Sequence, residues 1–281
     1  MSGETSKAIA CVLGADVSKS RSPAIHNAAF RALGVNGIYT RLNVDARRFS
    51  NHVYQFRAEG FRYLNITIPH KLRAAKLASK RYRGAEVRVS GAANTLIFDA
   101  NQIRAENTDG YGLLAALDDM GFSPRGETVV LVGAGGAAAG GIEALTRGGA
   151  RVKILPRRLS AGRLLRSRLS KRQQNLVEVC GWEEELEHEL KNAAALVSAV
   201  PAYAWQSDDR LAGLRSLTKN MVVLEMAYGT PTPLAQAARR RTDRYADGLG
   251  MLVHQAARAI ELALGEKPPL PPLFRAARRS G

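Results

Sequence analysis

We expect an α/β protein with two domains, because apolar strand-like runs alternate with helix-like segments along the whole chain. The length of 281 residues exceeds the usual size of a single domain. A continuous apolar run over residues 128–132 leads directly into a glycine-rich segment and then into a helix of small residues. These patterns predict an N-terminal α/β domain followed by a domain with a doubly wound parallel sheet.

The order of the elements follows from apolar runs, caps and turn residues. The expected strands cover residues 7–13, 38–44, 61–68, 93–98, 102–106, 128–132, 151–155, 176–180, 194–200 and 221–226. The expected helices end near residues 33, 58, 77, 120, 145, 172, 190 and 241, and a last helix runs from about residue 248 to a proline-rich tail. The fourth and fifth strands flank a turn-forming triplet and are therefore expected to form a hairpin.

Composition excludes several classes of protein. Hydrophobic residues make up 46% of the chain, but no apolar run is long enough to cross a bilayer and the first residues lack the apolar core of a signal peptide. We therefore expect a cytoplasmic protein with no membrane partner. Cys11 and Cys180 are too few for a disulfide framework and have no metal-ligand companions, so we expect two buried thiols and no metal site.

The chain is strongly basic, with 41 Lys and Arg against 25 Asp and Glu and a net charge of +16. Such an excess suits an anionic ligand, a nucleic acid or an acidic surface. The densest basic runs, residues 157–172 and 239–244, carry few aromatic residues and no recognisable nucleic-acid-binding motif. We attribute most of the charge to solvated helix faces and expect no nucleic-acid partner.

Two serines lie where the first helix is expected to begin. Ser22 is the expected N-cap and Pro23 the expected first helical residue, with Ser20 in the preceding polar loop. Hydroxyl groups at a helix N-terminus are well placed to hold a carboxylate or phosphate. Asp45 is the expected cap of the second helix.

A lysine follows the third expected strand, at a position where the helix dipole does not favour a cation. Pro69 is expected to be the first residue of the third helix, so that Lys71 lies in its first turn, at the positive end of the helix dipole. An ordinary solvated lysine is the alternative. Polar side chains also gather where neighbouring strands end, at Asn65, Asn94, Asn107 and Asp109, and we interpret Asn107 as a turn residue. These side chains make Lys71 a candidate for chemistry.

The glycine-rich segment has the form G-x-G-x-x-A and the strand-turn-helix setting of a dinucleotide-binding, Rossmann-type fingerprint. No Asp or Glu occurs between residues 144 and 177, where an NAD-specific site would place a carboxylate for the adenosine ribose. Arg157 and Arg158 follow the second strand instead. Arginine at that place suits a 2′-phosphate, so the sequence favours NADP over NAD.

Several segments carry a resemblance to the shikimate dehydrogenase family. They are Ser-Arg-Ser-Pro (20–23) with His26 and Asn27, Asn-Ile-Thr-Ile-Pro-His-Lys (65–71), Gly-Ala-Ala-Asn-Thr (91–95), Asn-Thr-Asp-Gly (107–110), Gly-Ala-Gly-Gly-Ala-Ala (133–138), and Gly-Leu-Gly-Met-Leu (248–252) with Gln255. The resemblance implies a catalytic, substrate-binding domain over residues 1–110, a Rossmann-type NADP domain over residues 111–247, and C-terminal helices over residues 248–281 that return to the catalytic domain. It also implies that substrate binds in a cleft between the domains.

The resemblance assigns roles to individual residues. It implies Lys71 and Asp109 as the catalytic pair. The implied substrate contacts are Ser20, Ser22 and Tyr228 for a carboxylate, and Asn65, Thr67, Asn94, Asp109 and Gln255 for hydroxyl groups and ring. The implied NADP contacts are Gly133, Ala134, Gly135, Gly136, Ala137, Arg157, Arg158, Met226 and Gly248. We interpret His26 and His254 as structural residues.

The implied activity is the NADP-dependent, reversible reduction of 3-dehydroshikimate to shikimate in aromatic amino acid biosynthesis, by a monomer or homodimer whose partner is a small carboxylate substrate. A dehydrogenase of quinate or a related cyclic polyol carboxylate is one alternative. A cofactor-binding regulator with impaired catalysis is another, because residues 198–204 depart from the family pattern and lose hydrogen-bonding groups. The intact Lys71 and Asp109 argue against the regulator.

Overall fold

The computed structural model describes residues 8–229 and 231–279, which fall into two compact units. Unit 1 combines Met1–Gly112 with Leu252–Gly281, and unit 2 is Leu113–Met251. Helices and strands alternate in both, which confirms the α/β class. The expected first strand reached back to Lys7, which lies outside the described residues.

Unit 1 is built on a five-stranded sheet in the order β2-β1-β3-β4-β5. Its strands are β1 (Ala8–Gly14), β2 (Gly37–Asn43), β3 (Tyr63–Ile66), β4 (Thr95–Asp99) and β5 (Gln102–Glu106). Its helices are α1 (Ser22–Ala32), α2 (Phe49–Ala58), α3 (Lys71–Leu77), α4 (Ala85–Ser90) and, from the C-terminal stretch, α13 (Leu270–Arg279). The first three strands are parallel, whereas β3, β4 and β5 pair antiparallel, so the expected hairpin is confirmed.

The register of this sheet aligns polar residues near one end. Asn65 on β3 lies opposite Thr95 on β4, which in turn lies opposite Glu106 on β5. Below them, Leu13, Leu64, Leu96 and other apolar side chains form a buried core with residues of α2 and α3. The polar side chains project from the strand ends, and the close-packed core holds those strand ends in place.

Three arginines of the N-terminal stretch fasten the C-terminal helices to unit 1. Arg62 Nε and Arg104 Nη2 donate to the carbonyls of Ala263 (3.3 Å) and Leu262 (2.9 Å), at the end of α12 (Leu249–Leu264). Arg21 Nη1 donates to a carbonyl near the end of α13 at 3.0 Å. These groups satisfy helix-terminal carbonyls that have no partner within the helix, and a cation is favoured there by the helix dipole.

Unit 2 is a six-stranded, all-parallel sheet in the order β11-β10-β9-β6-β7-β8. Its strands are β6 (Thr128–Val132), β7 (Arg151–Leu155), β8 (Val177–Val179), β9 (Ala195–Ser198), β10 (Val222–Glu225) and β11 (Tyr245–Ala246). Its helices are α6 (Gly136–Arg147), α7 (Leu159–Ser167), α8 (Lys171–Gln174), α9 (Trp182–Leu190), α10 (Asp208–Gly213) and α11 (Pro233–Arg239); α5 (Asp109–Asp119) and α12 contain the boundaries between the units. This strand order confirms the doubly wound fold and puts the loop after β6 at the point where the order reverses.

Several predicted boundaries were wrong. Helix α1 begins at Ser22, with Arg21 at the N-cap, so Ser22 is not the cap. Helix α2 begins only at Phe49, because the Asp45 side chain accepts the backbone N–H groups of the next turn instead of capping the helix. Helix α3 begins at Lys71, and Pro69 stands before it in a cis peptide bond with Ile68. In each case a polar or proline residue organises the turn before the helix.

Other differences concern whole elements. The expected basic helix ending near residue 172 is two helices, α7 and α8, since Ser170 caps a new helix through a reciprocal bond with Gln173. The proline-rich tail contains helix α13, whose Leu273 and Ala277 are buried. Cys11 and Cys180 are buried and neither forms a disulfide, as expected. Within residues 8–229 and 231–279, no helix has the length and apolar character needed to cross a bilayer.

Candidate active site

The Lys71 and Asp109 side chains form an ion pair in unit 1. Each is the first residue of a helix, α3 and α5, and Lys71 Nζ lies 2.6 Å from Asp109 Oδ2. The two side chains are 16% and 8% exposed, so the pair is largely shielded from water yet reachable from outside. A charge-assisted hydrogen bond of this length fixes the ammonium group in position.

Amide side chains surround this pair. Asn94 Nδ2 donates to Asp109 Oδ1 at 2.8 Å and lies 3.3 Å from Gln255 Oε1. Asn65 Nδ2 donates to Thr95 Oγ1 at 3.0 Å, one residue along the strand from Asn94. The structure therefore brings five predicted site residues into one cluster, including Gln255 from the C-terminal stretch.

The backbone near Asp109 is held by its neighbours. Asn107 Oδ1 accepts the backbone N–H of Asp109 at 3.0 Å, and its Nδ2 donates to the carbonyl of Ala92 at 3.0 Å. This is the local turn role that the sequence predicts for Asn107. Asp109 is therefore presented at the start of α5 by a fixed turn.

The two serines lie at the start of α1, as expected from their positions. Ser22 is buried, and the half-buried Ser20 accepts the backbone N–H of Ser22 through its Oγ at 3.3 Å. No acidic residue lies in the first turn of α1, so nothing there opposes an anion. Ser20, rather than Ser22, is thus the serine that engages the helix backbone.

Thr67 lies directly after β3 and is half-buried. A Cβ atom at Gly14, at the end of β1, would come within 2.5 Å of Thr67 Cγ2 and 3.2 Å of the carbonyl of Ile68. Only glycine lets the end of β1 pass the loop that carries Thr67. The position of this threonine is therefore built into the strand ends.

Unit 2 carries the glycine-rich loop between β6 and α6. Gly133 has a φ of +114°, and a Cβ there would lie 2.9 Å from Val200 Cγ1 and 3.1 Å from the carbonyl of Ala199. Gly135 is the N-cap of α6, and a Cβ there would meet no atom within 4 Å. With Gly136 opening the helix and Ala134 and Ala137 beside it, this leaves an uncapped helix N-terminus facing open space, which fits a pyrophosphate group.

Arg157 and Arg158 are exposed and follow β7 directly. Neither guanidinium group has an ion-pair partner in the part of the chain that the structure describes, so both are available for a phosphate. Met226 follows β10, and Gly248 donates its N–H to the carbonyl of Ala227 at 2.9 Å. A Cβ at Gly248 would collide with the Met226 carbonyl, so these two predicted cofactor residues pack backbone to backbone.

The segment 198–204, which departs from the family pattern, and the neighbouring strand β10 are both hydrogen-bonded into the fold of unit 2. The buried Ser198 accepts a hydrogen bond from Trp205 Nε1 at 2.9 Å. Glu225 is also buried, and its Oε2 accepts from Thr232 Oγ1 at 2.6 Å and from Tyr245 Oη at 3.0 Å, while burial raises the pKa of its carboxyl group. These bonds bracket the turn after β10, on which the half-buried Tyr228 lies.

Three residues near the cluster had no assigned role in the sequence. Tyr39 on β2 donates to Asn65, and Thr95 and Thr108 bond to Asn94. Thr95 and Thr108 stand inside segments of the family resemblance, which is the only signal that pointed to them. Nothing in the sequence around Tyr39 distinguishes it from an ordinary core residue of a strand.

A dinucleotide loop at the reversal point of a doubly wound sheet, together with a shielded lysine–aspartate pair in a second α/β unit, defines the class of this protein as a dinucleotide-dependent oxidoreductase. Residues 12–96 match the family model described as the shikimate dehydrogenase substrate binding domain. A shikimate dehydrogenase (NADP(+)) from Methanopyrus kandleri is 35% identical over 92% of this chain and 91% of that protein. The chain belongs to the shikimate dehydrogenase family.

Two further relatives show the same likeness. A shikimate dehydrogenase (NADP(+)) from Mesorhizobium japonicum is 36% identical, and the match covers 95% of this chain and 94% of that protein. The solved structure of shikimate 5-dehydrogenase from Thermus thermophilus, in complex with NADP(H) and shikimate, is 25% identical with a TM-score of 0.81. That match covers 98% of this chain and 100% of the other.

Proposed function

We propose that this protein catalyses the reversible, NADP-dependent reduction of 3-dehydroshikimate to shikimate, a reaction of aromatic amino acid biosynthesis. In this proposal unit 1 binds the substrate and unit 2 binds NADP. The observation that carries it is the shielded Lys71–Asp109 pair with its amide surround, because a fixed cation is what a ketone oxygen needs as it gains negative charge.

The proton chemistry falls to Lys71. When bound, the reduced nicotinamide supplies the hydride for the ring carbonyl. The Lys71 ammonium donates a hydrogen bond to the carbonyl oxygen, stabilises the charge that develops there, and gives that oxygen its proton. Asp109 holds the ammonium through the 2.6 Å bond and so keeps it aimed during turnover. In the reverse direction the neutral amine accepts the proton of the alcohol.

The remaining residues of unit 1 orient the ring. Asn65, Asn94 and Gln255 present amide groups and Thr67 a hydroxyl group, which match the hydroxyl groups of a polyhydroxylated ring. Ser20 and Ser22 hold the carboxylate at the N-terminus of α1. Tyr228, on the turn after β10, is the further residue that the family resemblance assigns to the carboxylate.

The residues of unit 2 fit NADP. The backbone N–H groups of residues 134–137 at the start of α6 hold the pyrophosphate, and Arg157 and Arg158 hold the 2′-phosphate. Gly133 donates its own N–H to the carbonyl of Leu155 at 2.9 Å and forms the turn that brings the backbone close to the pyrophosphate. Met226 and Gly248 line the nicotinamide end. The open space at Gly135 and the exposure of the two arginines support these assignments.

Steady-state turnover of shikimate and quinate, each with NADP and with NAD, tests the proposal directly. We expect the highest kcat/KM for shikimate with NADP, because the relatives are named shikimate dehydrogenase (NADP(+)) and no Asp or Glu lies between residues 144 and 177 to bind a ribose hydroxyl. A higher kcat/KM for quinate would transfer the assignment to that substrate. No turnover of either compound would contradict the proposal, provided that circular dichroism shows a folded protein.

The serines give a second expectation. Ser20→Ala and Ser22→Ala should each raise the KM for shikimate about tenfold, because each removes a hydrogen bond to a charged group worth about 1.5 kcal/mol or more. The KM for the carboxamide of shikimate, which carries no charge, should rise less. Ser18→Ala is the matched control, since Ser18 is exposed and its hydroxyl donates to Asp16. Equal losses for acid and amide would remove the serines from the carboxylate site.

A further inference from the structure

A continuous hydrogen-bond chain runs behind the catalytic pair. Tyr39 Oη donates to Asn65 Oδ1 at 2.8 Å, and Asn65 Nδ2 donates to Thr95 Oγ1 at 3.0 Å. Thr95 Oγ1 then donates to Asn94 Oδ1 at 2.9 Å, and Asn94 Nδ2 donates to Asp109 Oδ1 at 2.8 Å. Every hydrogen bond in this chain points the same way, from Tyr39 toward the carboxylate.

The chemistry of the groups fixes that direction. An ionised Asp109 carboxylate only accepts, so Asn94 must turn its NH₂ toward it and its carbonyl oxygen toward Thr95. That oxygen also only accepts, so the Thr95 hydroxyl must donate to it and keeps its lone pairs for the NH₂ group of Asn65. Turning either amide over would place donor against donor or acceptor against acceptor, at the cost of unsatisfied buried groups.

Thr95 is the link between the two amides. Thr95 is 0% exposed and Tyr39 is 2% exposed, so neither residue can touch a substrate in this arrangement. Asn94 Oδ1 has a second donor, the backbone N–H of Thr108 at 2.9 Å, which keeps part of its orientation without Thr95. Among the residues that the structure describes, the other acceptor for Asn65 Nδ2 is the carbonyl of Asn94, at the long distance of 3.4 Å.

The far end of the chain is a neutral aromatic cluster. The ring of His26 stacks on Tyr39 with centroids 3.9 Å apart, and His26 Nδ1 lies 2.6 Å from Tyr63 Oη. Burial lowers the pKa of His26 to about 3, so the imidazole is neutral at ordinary pH. Burial also raises the pKa of Tyr39 well above its usual value, so its hydroxyl remains a donor. The chain therefore begins at a group that keeps its proton.

We propose that Thr95 and Tyr39 are positioning residues that set the orientation of Asn94 and Asn65, and through them the placement of the Lys71–Asp109 pair. This assignment rests on the proposed function, since it concerns the same catalytic pair. Thr95 and Tyr39 act indirectly. They bind Asn65 and Asn94, which contact the substrate in the proposed function, and make no contact with it themselves.

The decisive comparison is Thr95→Val against Thr95→Ser. Valine keeps the volume but removes the hydroxyl, and we expect kcat for shikimate to fall about 3- to 10-fold, as for the loss of one neutral hydrogen bond. The KM for NADP should not change. Serine restores the hydroxyl, so its kcat should stay within about twofold of the wild-type value. Thr146→Val is the matched control and should leave kcat unchanged, because the buried Thr146 hydroxyl bonds helix carbonyls and a glutamine in unit 2.

Tyr39→Phe tests whether the residues act as one chain. We expect this variant to lose less kcat than Thr95→Val, about 2- to 5-fold. The Tyr39 hydroxyl is two hydrogen bonds farther from Asp109 than the Thr95 hydroxyl is. The Tyr39→Phe, Thr95→Val double variant should lose little more than Thr95→Val alone, since the first donor has no route to Asn94 once the link is gone. Independent, multiplying losses would overturn the idea of a chain.

A readout without turnover separates this inference from the proposed function. In ¹⁵N-labelled wild-type protein, the Asn65 and Asn94 side-chain amide protons should exchange slowly with solvent, and the Asn65 signal should shift upfield in Thr95→Val but not in Thr95→Ser. If wild-type protein does not turn over shikimate, the proposed function is wrong, but these signals still show whether the hydrogen-bond chain is present. Unchanged Asn65 signals in Thr95→Val, or equal losses of kcat in Thr95→Val and Thr95→Ser, would overturn the assignment of Thr95 as a positioning residue.

Discussion

Replacing Lys71 with methionine should lower kcat for shikimate by about 10²- to 10⁴-fold, the range of a positioned acid–base group. Methionine keeps the length and apolar stem of the side chain but supplies neither the charge nor the proton. Substrate binding should change far less, because the ammonium matters most when negative charge develops on the carbonyl oxygen. Single-turnover kinetics, with the substrate Kd measured separately, distinguish the two effects.

Two further variants make this expectation specific. Lys76→Met removes an exposed lysine from the same helix and should leave kcat unchanged. Asp109→Asn should also lower kcat, and the Lys71→Met, Asp109→Asn double variant should lose much less than the product of the single losses, because the two groups act as a unit. A Lys71→Met protein with the wild-type circular dichroism spectrum and near-normal kcat would sink the proposed mechanism.

The second large effect concerns cofactor choice. Replacing both Arg157 and Arg158 with alanine should raise the KM for NADP by about 10²-fold, because two charge-assisted contacts with the 2′-phosphate are lost. The KM for NAD, which lacks that phosphate, should change only slightly. Steady-state kinetics with both cofactors at saturating shikimate measure the ratio.

The control for this variant removes the same charge elsewhere in unit 2. Arg163 and Arg172 are exposed on α7 and α8, and their double alanine variant lowers the net charge equally. It should affect NADP only through weak, salt-screened attraction. If it raises the KM for NADP as much as the Arg157, Arg158 variant does, the effect is one of general charge and these two arginines do not read the 2′-phosphate.

Much of the fold could be predicted because its signals are local. The apolar run of β6 followed by the fingerprint identifies the doubly wound sheet, and the hairpin of β4 and β5 follows from its turn residues. Helix starts were less accurate. Asp45 and Pro69 are residues that serve helix starts and turns alike, and only the packing that follows decides which role each takes. Helix α13 was not predicted for the same reason, because its prolines suggested an irregular tail.

The site was predictable where a side chain is unusual for its local setting. Lys71 lies at the end of a helix that disfavours a cation, and Asp109 follows a strand among other polar residues, so the sequence distinguishes both from their neighbours. Gln255 came only from the family resemblance. Tyr39 could not be found, because its role depends on a contact with Asn65 across β1, which lies between their strands in the sheet. Contacts of that kind are set by tertiary structure.

The way in which the C-terminal helices are fastened to unit 1 has a consequence for synthesis on the ribosome. Arg21, Arg62 and Arg104 are made early, but the helix carbonyls that they bind belong to residues 262–277 and emerge only after all of unit 2. At about 5–20 residues per second, the nascent N-terminal sheet waits several seconds or longer for its last helices. Unit 2 is one continuous stretch and has no such wait. The nucleotide-binding half of the molecule can therefore be finished while the half that holds Lys71 still lacks Gln255, and catalytic competence is among the last properties that the growing chain acquires.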